Sequence, residues 1–389
     1  MNYKNNAIGL LGASLMNNVL YMFLNTFMVA YFITLTNYDY KLISIYYIVS
    51  FISIIFTFLL LGKIIKSKKR IHIFRIGILL HLIYVLLLAF LKENIIDYYV
   101  LLGAFYGVAQ GFFWGSGHTL INKYVGKESD KFISIQSIIG RIFKIFFPII
   151  FGASIELTSF SYIARVVIII GLIELIFSFF VKEEKDAYNN KYDIKKFYTK
   201  VKSNILLRDY YKISCCDGIF NYLLETLVTI LIVMTFKTTI SLGFLTTLFA
   251  VFSIFSVFIY QNKIKDKNKM LKISTIGMVL SILILILDIS KISIVIYNFS
   301  AGIFLVILKN AAQAKRYTIT SNIKDIQEEY LVEHQFFSEL YLNVSRILGY
   351  TVLFIASLFD NMVIFKVLLA LVGIIVLVFY KLMMNISKK

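Results

Sequence analysis

Charged side chains are scarce in the long apolar stretches of this 389-residue sequence, so the few present are where chemistry is to be sought. Arg141 and Lys144 stand three residues apart, Asp217 and Glu225 eight apart, Lys309 sits beside Asn310, and Glu339 and Arg346 are seven apart. On insertion scales each such charge costs about 2.5–3.5 kcal/mol at mid-membrane, so it faces a cavity or a partner. At i, i+3, Arg141 and Lys144 share one helix face. Two cations that close repel unless an anion lies between or beside them. They form either an anion-binding element or one side of fixed ion pairs with carboxylates. Glu339 and Arg346 share a face two turns apart, roughly 10 Å by helical rise, so each needs another partner.

Desolvation at mid-depth disfavours a carboxylate's charged form, which makes Glu225 the expected site for loading and releasing a proton. Its alternative is a permanent pair with Arg141, Lys144 or Lys309. Asn17 and Asn25 hold the equivalent places in the first half, as described below, and join the candidates. Glu174 and Lys366 read as structural, and Arg75 and Arg165 as cations reaching for headgroups. Gly103, Gly107, Gly111 and Gly115 recur every fourth residue and form a smooth ridge for close packing. Gln110 and Trp114 lie on the same stretch and are candidate solute contacts if it lines a cavity; His118 reads as an interface residue. The strings of aromatic residues read as lipid-facing or core.

Other chemistries are set aside. No Gly-x-x-x-x-Gly-Lys-Ser/Thr loop is present to cradle a nucleotide, and neither a His–Glu metal helix nor a nucleophile elbow occurs. Cys215 and Cys216 are adjacent and make neither a disulfide framework nor a metal site with the four scattered histidines. No cofactor, metal or enzymatic activity is expected.

The elements that must position these residues follow from composition. The sequence is 59% hydrophobic and 16% charged, against about 25% charged in soluble domains. Its mean hydropathy is +0.80. That surplus of apolar surface needs a lipid bilayer as solvent. Twelve stretches, from Ala7–Leu35 to Met362–Tyr380, reach the roughly 20 apolar residues of a membrane span, and helices alone satisfy the backbone there. With the amino terminus inside, 29 of the 40 Lys and Arg fall in cytoplasmic segments and only Lys41, Lys92, Lys237 and Lys291 in outer loops. The positive-inside rule therefore places both termini in the cytoplasm and explains the net charge of +18 without nucleic acid. The sequence opens directly into a full-length apolar stretch without a small-residue cleavage site, so no removable signal is expected. The wealth of Lys, Ile, Asn, Tyr and Phe, with Pro148 as the single proline, points to an AT-rich bacterial genome and hence the inner cell membrane.

An internal repeat divides the chain. At a shift of 200 residues, Ser14, Asn17, Asn25 and Thr26 correspond to Ser214, Asp217, Glu225 and Thr226. The loop after the second span repeats too, with Lys63, Ile64 and Lys69 matching Lys263, Ile264 and Lys269. Two six-span halves are expected, 1–181 and 211–389, joined by a basic linker over 182–210. Within the linker Ile194, Phe197, Tyr198, Val201 and Ile205 recur at helical spacing, as an amphipathic helix on the inner leaflet or a solvated tether.

Twelve helices in two six-span halves, a basic cytoplasmic linker and a basic loop after the second span of each half resemble the major facilitator superfamily across the whole chain. That family's loop runs Gly, three residues, Asp, then Gly and basic residues. Gly62 and Arg70 fit it, but Lys66 stands where the acid belongs; the second copy has Asn262 for the Gly and keeps the acid as Asp266. The resemblance implies gating contacts from this loop and two halves rocking about a midplane site, with spans one, four, seven and ten lining the cavity. The expected function is secondary active transport of a small organic solute, anionic or zwitterionic given the charges named above. Protons are the candidate coupling ion, and the chain is expected to act as a monomer. Export of an amphiphile such as a drug, lipid or peptide is the alternative, with a non-transporting sensor on the same fold as a third reading.

Overall fold

The structure, a computed structural model, describes residues 2–66, 69–125, 129–182, 192–262, 267–321, 323, 326, 329–359 and 361–386. Among them the regular elements are all helical. Span one runs Asn2–Met22, passes through a π-turn at Phe23–Phe27 and continues as Met28–Leu35. Spans two to six are Lys41–Lys66, Arg70–Leu91, Tyr99–Val125, Ser129–Leu157 and Phe160–Phe179. Spans seven to twelve are Ile205–Phe236, Thr239–Asn262, Lys267–Leu287, Lys291–Ser321, Leu331–Ser357 and Met362–Ile386. Eleven of these are long and apolar enough, by that measure alone, to cross a membrane. Span four is the twelfth: its 27 residues suffice in length, but the glycine ridge, Gln110 and Trp114 dilute its apolar content.

The outer helix ends fall within three residues of the apolar boundaries read from sequence. Most of the inner ends run further. Span ten continues to Ser321, seven residues past the Ala314 at which the apolar stretch ends, and span seven begins at Ile205 rather than at Tyr211, where its apolar stretch opens. Lys and Arg are good helix formers, so the helices propagate beyond the hydrocarbon into the basic inner segments.

The packing pattern carries the repeat. Spans one and six, two and four, three and four, and three and six pack together; so do seven and twelve, eight and ten, nine and ten, and nine and twelve. Between the halves, span two packs on eleven and span five on eight. Adding six to each number, cyclically, turns the first set into the second and exchanges the two cross-contacts, which is a pseudo-two-fold. Large apolar side chains such as Phe56, Leu60, Phe90, Leu157 and Leu287 project outward, as a lipid-facing surface requires.

The glycine ridge of span four is a packing surface. A methyl group on Gly103 would lie 2.6 Å from the Tyr46 carbonyl oxygen, and one on Gly107 would strike the Ser50 carbonyl, so spans two and four meet backbone to backbone. The linker helix, Ile194–Ser203, is capped by Asp193, which accepts from the Lys196 N–H at 2.9 Å. Phe197 and Val201 are sealed, with the Phe197 ring against Tyr330, His334 and Phe337 of the segment opening span eleven, while Tyr198 and Ile205 of the same apolar pattern stay exposed. The expected helix is thus docked on the protein by half of its apolar pattern.

Candidate functional site

The two repeat partners Asn25 and Glu225 meet in one small cavity between the halves, lined also by Tyr21, Tyr47, Tyr222, Thr226 and Tyr350. Asn25 sits inside the π-turn of span one. A π-turn widens the helix and loosens backbone bonding, and here the Asn25 amide donates to the Tyr21 carbonyl at 2.8 Å. The same amide donates to the Tyr106 hydroxyl at 3.0 Å, while its oxygen accepts from Tyr47 at 3.3 Å. Tyr350 and Thr226 share a hydroxyl–hydroxyl bond at 2.5 Å, and the rings of Tyr47 and Tyr350 stand 4.7 Å apart across the two halves. Glu225 is exposed rather than sealed.

Arg346 of span eleven stands against Tyr222 of the cavity lining. Its guanidinium carbon lies 3.5 Å from the Tyr222 ring centre and 5.3 Å from that of Phe51, so the cation bridges the halves over aromatic faces. It donates to the Asn343 oxygen at 2.8 Å, and Asn343 in turn donates to Glu339 at 3.1 Å. Asn343 is thus the intermediary that the seven-residue spacing of Glu339 and Arg346 required. Arg141 donates to Ser137 at 3.2 Å and to the Ser253 carbonyl at 3.1 Å. Lys144 and Lys309 are exposed, and Asn310 is half-buried beside the latter. Among the described residues, none of Arg141, Lys144, Lys309 or Arg346 has a carboxylate within ion-pair distance.

Two candidates are occupied elsewhere. Asp217 forms a 2.5 Å ion pair with Arg316 and accepts from Asn221, so it is a closed contact between spans seven and ten. Arg316, a loop residue by the sequence boundaries, belongs to the extended span ten. Asn17 is buried against Glu174 of span six and His81 of span three, within the first half. Gln110 is buried, and half-buried Trp114 stacks on His118 at 4.8 Å. Arg75 and Lys366 cap helix ends: Arg75 donates to the Ser178 and Val181 carbonyls at 3.3 and 3.1 Å, and Lys366 to that of Leu287 at 3.3 Å.

The loop after span two forms a closed contact at the linker end of the bundle. Lys66 pairs with Glu333 of span eleven at 2.5 Å, both buried, and also donates to the Glu329 carbonyl at 3.0 Å. The Asp193 N–H of the linker adds a bond to Glu333 at 3.0 Å. Thr119 donates to Gln335 at 3.1 Å, a second bond between halves nearby. Thus the cation that departs from the family's loop pattern has an acid waiting for it. Gly62 leaves room for the Tyr192 ring of the linker, which a side chain there would push aside. Burial, and then the Glu333 charge, push the Tyr192 phenol up from its ordinary pKa. Arg70 caps span two through a 2.7 Å bond from Nε to the Ile65 carbonyl. Asp266 lies outside the described residues.

Sequence reasoning missed the tyrosines, Lys66 and Glu333. The aromatic strings read as lipid-facing or core, yet tyrosine rather than phenylalanine at mid-span signals a hydroxyl in need of a partner. Glu333 stands just before an apolar stretch, where a charge costs little and draws no notice.

The family profile described as Major Facilitator Superfamily matches residues 10–316. A comparison with curated proteins finds no match. Among solved structures, a mutant form of the nucleoside transporter NupG superposes with a TM-score of 0.72 at 13% identity, covering 98% of this chain and 99% of that one. A bacterial homologue of the iron transporter ferroportin, in an inward-facing state, gives 0.67 at 14% identity, covering 100% and 99%. At these identities the likeness is one of fold.

Proposed function

From the premise that the chain belongs to the major facilitator superfamily, we propose that it moves a small organic anion or zwitterion across a bacterial inner membrane by alternating access. The observation that carries this reading is the set of intramembrane cations Arg141, Lys144, Lys309 and Arg346, none ion-paired among the described residues. Fixed pairing would have made them structural. With Asp217 taken by Arg316, only Glu225 and Glu339 remain as acids to set against four cations, and the surplus favours a carboxylate or phosphate on the solute. The tyrosine hydroxyls and the Asn25 amide supply neutral donors and acceptors for the rest of it. Glu225, open to the cavity, is the acid placed to exchange a proton as solute binds. The positive-inside pattern supports cytoplasmic termini, and the Lys66–Glu333 contact then closes the cytoplasmic side.

The test is a thermal-stability screen of the purified protein with small anions, zwitterions, nucleosides and amphiphiles, repeated on Arg141→Ala and Glu225→Gln. A ligand at 100 times its dissociation constant adds about 2.7 kcal/mol of apparent stability. Stabilisation of the wild type, but of neither variant, by an anion or zwitterion is the expected result. Stabilisation by amphiphiles alone, equal in all three proteins, would move export of amphiphiles ahead.

A further inference from the structure

We propose that Glu174, with Asn17 and His81, is a proton-binding site inside the first half, separate from the solute cavity. Glu174 Oε1 accepts from Asn17 Nδ2 at 3.2 Å, and the same amide nitrogen lies 3.5 Å from His81 Nδ1. All three side chains are at most 1% exposed. Each also keeps one buried polar atom without a hydrogen bond among the described residues: Glu174 Oε2, Asn17 Oδ1 and His81 Nε2. Three orphaned atoms on three touching residues mark a polar site whose hydrogen count is variable, since ordinary buried polar groups are satisfied.

Among the described residues the surroundings supply no counter-charge. Span one presents Asn17, span three presents His81, and span four presents Phe113, whose ring is 5.4 Å from the imidazole. Arg75 of span three lies nearer the linker end and is engaged with the Ser178 and Val181 carbonyls. Among the described residues no cation pairs with Glu174. A sealed carboxylate without a cation is unfavourable, and the proposal takes the neutral acid as the resting form.

Asn17 is suited to both forms. Turned as observed, its NH2 donates to Glu174 Oε1, which accepts either as a carboxylate oxygen or as the carbonyl of the acid; turned the other way, its oxygen accepts from the acid's O–H. His81 follows by changing tautomer, with Nδ1 accepting from the amide in the first case and donating to it in the second. The proton is gained or lost at Glu174 while the amide keeps both bonds. Asn17 also ties this site to the cavity, because Asn25 stands eight residues along the same span, roughly 12 Å by helical rise. A shift of span one during transport withdraws Asn17 from Glu174 and exposes the acid to exchange.

Infrared difference spectra of the purified full chain, taken between neutral and alkaline pH, test this without any solute and so apart from the solute reading. The expected result is a protonated-carboxyl band in the wild type that Glu174→Gln abolishes and Glu225→Gln keeps. The wild type should release about one proton per chain more than Glu174→Gln. Asn17→Leu, which removes the acid's hydrogen-bond partner among the described residues, should shift the band. A spectrum unchanged by Glu174→Gln overturns the proposal. Should that variant fail to fold, a band unmoved by Asn17→Leu overturns it equally.

Discussion

Arg346 holds its guanidinium over the Tyr222 ring and gives one N–H to Asn343, while its Nε has no partner among the described residues. A planar, forked cation with a spare donor beside a cavity is built to take a bidentate oxyanion. Arg346→Lys keeps the charge but loses the fork and the stacking plane, and a charge-assisted hydrogen bond is worth about 1.5–3 kcal/mol. Ligand affinity, read from the stabilising anion's titration, should therefore fall by roughly tenfold or more. Tyr222→Phe keeps the ring face and loses only a neutral hydroxyl, so its affinity should fall by a smaller factor, about two- to tenfold. If Arg346→Lys titrates like the wild type, the arginine serves only the bundle. At this scale the sequence was legible where physics makes a residue rare: a charge inside an apolar stretch announces itself, as Arg141, Lys144, Lys309 and Arg346 did. It was illegible where the meaning depends on a partner far along the chain. Glu174 and Asn17 are 157 residues apart, and only their meeting turns a structural glutamate into a sealed acid. Asp217 looked like a cavity acid until Arg316 claimed it.

Single elements show why one substitution can matter at a distance. Lys66 ends span two and Glu333 opens span eleven, and the pair is sealed from water. Breaking a buried pair by removing one partner leaves an uncompensated charge and costs about 3–5 kcal/mol. Lys66→Ala should lower thermal stability by that order, and the double exchange Lys66→Glu with Glu333→Lys should recover part of it. Recovery stays partial because the Asp193 N–H, which donates to Glu333, would face a lysine. Equal stability of Lys66→Ala and wild type would show that the contact contributes nothing. Spans two and four offer a second check: Gly107→Ala sets a methyl against the Ser50 carbonyl and should cost about 1–3 kcal/mol in the same assay. Helix number and outer boundaries were readable because a span must match the bilayer. The inner ends, the π-turn at Phe23–Phe27 and the docking of the linker helix were not, since propensity, a local bonding choice and tertiary packing decide them.

For the whole molecule, the alternating access proposed above turns on which cross-contacts hold. Spans two and eleven meet on one side of the pseudo-axis and five and eight on the other, and the proposal requires these contacts to pivot while the ends of the bundle separate. In this conformation the linker end is fastened by Lys66–Glu333 and by Thr119–Gln335. Thr119 is fully buried behind that contact, so a cysteine there reports whether the linker end is open. With Cys215 and Cys216 replaced by serine, Thr119→Cys should resist a membrane-impermeant maleimide in inside-out vesicles. Adding Lys66→Ala and Glu333→Ala removes both charges at once, so neither is left stranded, and the halves lose their fastening. Labelling should then rise several-fold from the cytoplasmic side and stay low from the outside. Labelling that is equal in the two backgrounds would refute the gate, and labelling from the outside alone would invert the orientation that the basic loops support.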